Sequence, residues 1–127
     1  MSGRMAVIER RARPILIVDD DRDILAVERA VLAEHGYAVR EARDGAEALR
    51  QIDIEPPAMI VLDVQMPGID GPTFARELRT RLRRVPLVIL TGAPDPKHEA
   101  DRCNAEAYLR KPFHADDLLR LVERFST

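Results

Sequence analysis

Four short stretches of the chain carry acids or bases where strands should end. Asp19, Asp20 and Asp21 follow Ile15-Leu16-Ile17-Val18, and Asp63 follows Ile60-Val61-Leu62. Thr91 follows Val88-Ile89-Leu90, and Lys111 follows Tyr108-Leu109-Arg110. In an open parallel sheet the carboxyl ends of the strands meet along one crevice, where ligands bind. Three carboxylates, one hydroxyl and one ammonium would then share a pocket. Such a set can bind a divalent cation and accept a phosphoryl group.

Each residue type suits that chemistry. Adjacent carboxylates at Asp19 and Asp20 repel each other unless a cation compensates, and Mg2+ is a hard ion that takes oxygen ligands and keeps waters. The Asp63 carboxylate could attack phosphorus directly and form an acyl phosphate. Lys111 would add a mobile point charge, and Thr91 would donate its hydroxyl to a phosphoryl oxygen. Gly92 leaves its amide accessible because it has no side chain. Taken singly, these residues have plainer readings. Asp21 or Asp23 could cap a helix, and Thr91 could close a strand end. The combination with Asp63 and Lys111 is what points to a site.

The elements that must hold these residues alternate regularly. Ile15–Val18 is a buried-strand pattern. From Asp23 to His35, Ile24, Val27, Val31 and Leu32 fall on one helical stripe, with Gly36 as the stop. A strand over Tyr37–Ala42, a helix over Gly45–Ile52 and a strand over Ala58–Leu62 follow. The loop Met66-Pro67-Gly68-Ile69-Asp70-Gly71 is built from turn residues. Pro72 suits a first helical turn, and Phe74, Ala75, Leu78 and Leu82 give the third helix its buried face. A strand over Pro86–Leu90 comes next. Pro94 to Cys103 is a poorer helix with two prolines at its start. Asn104 can take a left-handed cap. A strand over Ala107–Leu109 leads to a final amphipathic helix, Ala115–Phe125, with Leu118, Leu119, Val122 and Phe125 spaced for burial. Five successive βα units imply a doubly wound five-stranded parallel sheet with helices on both faces.

Composition removes several function classes. The 127 residues suit one domain. A net charge of -2 gives no general attraction to nucleic acid or anionic membrane, and no recognition helix or basic stripe is visible. Of the 20 basic residues only Lys97 and Lys111 are lysine, which makes the lysine beside Pro112 more noticeable. The single Cys103 excludes an internal disulfide and suits a reducing, cytoplasmic compartment. No apolar run approaches the length of a membrane span. Residues 1–13, with Arg10, Arg11 and Arg13, read as a flexible, solvated tail before a domain over 14–127. His35, His98 and His114 are scattered and support no catalytic role.

From Pro14 to Phe125 the chain resembles the receiver domain of bacterial two-component response regulators. The resemblance rests on Ile17-Val18-Asp19-Asp20, Leu62-Asp63-Val64-Gln65-Met66-Pro67-Gly68, Asp70-Gly71, Leu90-Thr91-Gly92 and Tyr108-Leu109-Arg110-Lys111-Pro112-Phe113. It implies a flavodoxin-like three-layer α/β/α fold, (βα)5, and Asp63 as the phosphoacceptor. It implies Mg2+, with Mn2+ able to substitute, held directly by Asp20, Asp63 and the backbone carbonyl of Gln65, and by Asp19 through water. Thr91 and Lys111 would contact the phosphoryl group, with Gly92 beside it, and Thr91 and Tyr108 would form the switch. Pro112 stands where the family often has a cis peptide bond.

The implied donor is a phosphohistidine on a histidine kinase or phosphotransfer protein. No external substrate would be turned over. A downstream target or a second copy would dock on the face from the fourth to the fifth helix, although the segment between Thr91 and Tyr108 is slightly shorter than in many relatives. Two other classes stay open at this point: a Mg2+-dependent phosphatase or phosphotransferase with an aspartyl nucleophile, and a degenerate, unphosphorylated binding module. The first usually carries two aspartates separated by one residue and followed by Thr or Val. Asp19-Asp20-Asp21-Arg22 lacks that ending.

Overall fold

The computed structural model describes residues 13–126, so the tail expected over residues 1–13 lies, apart from Arg13, outside the described residues. Among the described residues five strands and five helices alternate: β1 (Ile15–Val18), α1 (Arg22–Glu34), β2 (Val39–Ala42), α2 (Gly45–Ile54), β3 (Met59–Asp63), α3 (Gly71–Arg81), β4 (Leu87–Thr91), α4 (Pro96–Arg102), β5 (Ala107–Arg110) and α5 (Ala115–Phe125). All strand pairs are parallel, in the order β2-β1-β3-β4-β5. The expected doubly wound, three-layer (βα)5 architecture is the observed one.

Alternation along the strands builds two cores. Ile15 and Ile17 face α1 and α5, meeting Leu25, Leu32, Leu118, Leu119 and Val122. Leu16 and Val18 face the other layer, where Ile52 of α2, Phe74 and Leu78 of α3 and Ala100 of α4 pack. β1, β3 and β4 are buried along their whole length, as strands covered on both faces must be. No helix of the described residues is long and apolar enough to cross a membrane.

Local chemistry sets the helix boundaries. Asp21 caps α1, its Oδ1 accepting from the Asp23 and Ile24 amides at 2.9 and 3.3 Å. Asp44 caps α2 through the Glu47 amide at 2.7 Å, and Asp95 caps α4 through the His98 amide at 3.1 Å. α4 is only seven residues long, as the prolines at its start foretell. Asn104 ends that segment at a φ of 50°, the left-handed conformation expected of it. Gly71, at the start of α3, has its own requirement: a Cβ there would lie 2.9 Å from Cys103 Sγ and 3.3 Å from Val64 Cγ1. This close approach seals α3 against the end of α4.

Two expectations need correction. β3 and β4 each run one residue further than the apolar pattern suggests, so Asp63 and Thr91 are the last strand residues themselves. Their ladder partners, Leu90 for Asp63 and Arg110 for Thr91, hold them in register. The buried stripe of α1 is also rotated. It carries Leu25, Glu28 and Leu32, while Val27 is 61% exposed. Ile24 and Val31 are half-buried at its margin.

Candidate functional site

The chain winds one way from β1 to β2 and the other way from β1 to β3, so the helices that follow these strands diverge and leave a crevice at their carboxyl ends. Four strands deliver side chains or loops to that edge. Asp19 follows β1, Asp63 ends β3, Thr91 ends β4 and Lys111 follows β5.

Asp19, Asp20 and Asp63 come together there, and one carboxylate oxygen from each lies within 4.8 Å of the others. Asp19 and Asp63 are buried, at 1% and 4% exposure, whereas Asp20 faces solvent. The Asp19 amide donates to Ala42 O at 3.0 Å, and Asp19 Oδ1 accepts from the Asp21 amide at 2.9 Å. Asp63 Oδ1 accepts from the Gln65 amide at 2.9 Å. Its Oδ2 pairs with Lys111 Nζ at 3.0 Å. Lys111 is itself held by its backbone amide, which donates to Thr91 O at 2.8 Å. The Lys111-Pro112 peptide bond is cis, as the resemblance implied.

Thr91 is buried, and its Oγ1 accepts from the Ala93 amide at 3.0 Å. That bond caps the strand end and leaves the hydroxyl proton unused, so it is compatible with the site role expected of Thr91. Tyr108 is 40% exposed and so lies on the outer surface of β5. The Gly92 amide donates to Gln65 Oε1 at 2.6 Å. A Cβ on Gly92 would come within 3.0 Å of that same oxygen. Gln65 thus links the β3 and β4 loops through its side chain, a contact no periodicity or motif spacing reveals.

The electrostatics favour a cation. Carboxylates within 4.8 Å of one another repel by roughly 3 kcal/mol per ionised pair at an effective dielectric of about 20. Lys111 answers only part of this. Burial, followed by the Asp63 charge, raises the Asp19 pKa despite the Asp21 amide bond and the Lys111 charge. Asp19 Oδ2 is buried without any hydrogen-bond partner. An all-oxygen cluster with excess negative charge and an unpartnered buried oxygen fits a hard divalent ion such as Mg2+.

Glu28 was not anticipated. It is only 5% exposed on the inner face of α1, and its Oε1 is buried without a hydrogen-bond partner. Burial, then the charges of Asp19 and Asp63, push its pKa up to about 8, against the pull of Lys111. Nothing in the spacing of α1 singles it out, since a glutamate beside an apolar stripe usually faces water.

Replacing Lys111 by alanine removes the charge that pairs with Asp63 but keeps the backbone amide bond to Thr91 O that holds the strand end. The circular dichroism spectrum should stay native. The rate of phosphate incorporation from a small phosphodonor should fall by about a hundredfold, the usual effect of deleting a charge that stabilises a transferring group. An unfolded variant would instead make Lys111 a structural residue.

A doubly wound domain with three carboxylates, a hydroxyl and an ammonium at its strand ends is equipped to carry a phosphoryl group on aspartate. The response regulator receiver domain model matches residues 15–123, and the chain belongs to that family, the phosphoacceptor domains of two-component signal transduction. It is 40% identical over 107 residues to response regulator MprA of Mycobacterium ulcerans, a match covering 83% of this chain and 46% of that protein. The chain thus spans about half the length of the curated relatives it matches. A putative response regulator from Chloroflexus aurantiacus superposes with a TM-score of 0.82 at 36% identity, covering 90% of this chain and 97% of the other. The receiver domain of sensor histidine kinase PA1611 from Pseudomonas aeruginosa, solved with magnesium coordinated in its active-site cleft, superposes at 0.78 with 31% identity, covering 91% and 98%.

Proposed function

We propose that Asp63 accepts a phosphoryl group from the phosphohistidine of a histidine kinase or phosphotransfer protein. The observation that carries this is the buried Asp63 carboxylate, paired to Lys111 at 3.0 Å within the three-carboxylate cluster. In the transfer an Asp63 carboxylate oxygen bonds to phosphorus as the phosphorus–nitrogen bond breaks, and the bonding pair stays on the imidazole nitrogen. Lys111 then moves its charge from the free carboxylate to the phosphoryl oxygens, and the Thr91 hydroxyl donates to one of them. The Gly92 amide, now satisfied by Gln65, stands beside the same group. The chain is an acceptor and turns over no external substrate.

Asp20, Asp63 and the Gln65 carbonyl would hold Mg2+ directly, and Asp19 would hold it through water. The magnesium in the PA1611 receiver domain supports this assignment, as does the unpartnered Asp19 oxygen. Bound there, the ion supplies positive charge that offsets the carboxylates and the incoming phosphoryl oxygens. Asp20→Asn removes one charged ligand, so Mg2+ affinity in a titration should fall about tenfold or more, a loss of at least ~1.4 kcal/mol. Equal affinity in the two proteins would remove Asp20 from the ligand set.

The output is a shift between two pre-existing conformations. When Thr91 turns toward the phosphoryl group, the vacated space admits the Tyr108 ring, and the face formed by α4, β5 and α5 changes shape for a target or a second copy. With Mg2+ and beryllium trifluoride as a phosphoryl mimic, amide resonances from Pro94 to Tyr108 should shift along with those near Asp63. Changes confined to the Asp63 loop would show that the signal does not leave the site.

A further inference from the structure

Between α3 and the end of α4 lies a groove of about 560 Å3, lined by three arginines, Arg76, Arg79 and Arg102, and by no acid. Pro72, Ala75 and Cys103 give it an apolar side. That side is firmly packed. Ala75 and Cys103 belong to the buried core on this face of the sheet, and Gly71 sits against the Cys103 sulfur. The volume is that of a small-molecule site and exceeds what a bare oxyanion needs. None of Asp19, Asp20, Asp63, Thr91 and Lys111 lines it, so it is separate from the phosphoacceptor site.

The three guanidinium groups are not equally available. Arg79 is committed: it donates to Val85 O at 2.7 Å and pairs with Glu106 at 3.3 Å. Arg76 has no carboxylate partner among the described residues and donates to the Thr73 hydroxyl at 3.1 Å. Arg102 has one loose partner, Glu99 of its own helix, at 3.6 Å. The other acids of these two helices are engaged elsewhere, Glu77 with Arg81 and Asp101 with Lys97, both at 3.0 Å. Asp70 accepts from the Thr73 hydroxyl at 2.6 Å, and although it feels the charges of Arg76 and Arg102 it does not line the groove. Two guanidinium groups without a close carboxylate thus line a partly apolar cavity. Guanidinium matches phosphate oxygens with paired hydrogen bonds, and a phosphomonoester carries close to two negative charges at neutral pH. We propose that the α3–α4 groove binds a small organic phosphate, with its phosphoryl group on Arg76 and Arg102 and its organic body on Pro72, Ala75 and Cys103.

The test is a titration of the full chain with phenyl phosphate, followed by amide resonances. Metal-free buffer is used, because without a cation the Asp19-Asp20-Asp63 cluster repels phosphate. Saturable shifts are expected from Thr73 to Thr80 and from Arg102 to Asn104. Arg76→Gln changes an exposed side chain and should weaken binding about tenfold, the worth of one charge-assisted hydrogen bond. Arg102→Gln, on the other helix, should do the same, so the outcome does not hang on the folding of one variant. Inorganic phosphate, which lacks the organic body, should bind more weakly than phenyl phosphate, and phenol, which lacks the charge, should give no saturable shifts. Shifts centred on Asp63 and Lys111, equal affinity for the parent and both variants, or no saturable binding would overturn the proposal. So would phenol binding as tightly as phenyl phosphate, or inorganic phosphate doing so, which would reduce the groove to a site for the bare ion.

Discussion

Asp63→Asn is expected to abolish phosphate incorporation completely. The substitution keeps the side chain's size and leaves an oxygen to accept the Gln65 amide, now bonded at 2.9 Å. It removes the anionic oxygen that pairs with Lys111 at 3.0 Å and that serves as nucleophile. An amide oxygen is a poor nucleophile toward phosphorus, and the variant site has one negative charge fewer to hold a cation. The other acids do not replace it. Asp20 is exposed at the mouth, and Asp19 has its Oδ1 tied to the Asp21 amide. Incubation with a radiolabelled small phosphodonor and Mg2+ checks this directly. Label retained at the parental level would move the acceptor to another residue.

Glu28→Leu should make the protein more stable, and the gain should depend on pH. In the unfolded chain a glutamate titrates near 4.5, and in the fold Glu28 titrates at about 8. Between these values the folded state binds more protons than the unfolded state, so raising the pH destabilises the fold. The contribution is fully present below about pH 4.5, is lost progressively up to about pH 8 and is constant above it. A separation of this size corresponds to about 3 kcal/mol at pH 7 and about 5 kcal/mol once the group is ionised in both states. Leucine does not titrate and fills the same interior position. In metal-free buffer at pH 8 the variant's melting temperature should exceed the parent's by on the order of 10 °C, with a much smaller gap at pH 5. Asp19 shifts in the same direction in both proteins, and losing the nearby Glu28 charge relieves Asp19 as well, which adds to the gain at high pH. A pH-independent gap would show that Glu28 does not titrate between these limits.

The strand-end residues were legible in the sequence for a physical reason. Strands buried on both faces read as unbroken apolar runs, so the first polar residue after each run marks the sheet edge. Asp19, Asp63 and Thr91 follow that rule to within one residue, whereas Lys111 follows β5, an edge strand of alternating exposure, and is marked instead by the proline beside it. The rotation of α1 was not legible. Ile24, Val27 and Val31 fit helical spacing as well as Leu25, Glu28 and Leu32 do, and the charge at position 28 argues for the wrong face. Packing against Ile15, Ile17 and Val122 chooses Leu25 and Leu32, and Glu28 is carried inward with them. The Gln65 side chain escaped notice because a loop has no period. Its bond to the Gly92 amide depends on β3 and β4 lying side by side.

The central claim is that a single aspartate, Asp63, carries the phosphoryl group. The most direct measurement treats the protein with a small phosphodonor and Mg2+, reduces the product with borohydride and sequences the peptides by mass spectrometry. Reduction converts a phosphorylated aspartate to homoserine, so the modified position is read without relying on a labile bond. The account predicts homoserine at position 63 alone, with Asp19, Asp20 and Asp21 unchanged. Homoserine at any of those three, or a phosphate found on a serine, threonine or histidine, would contradict it.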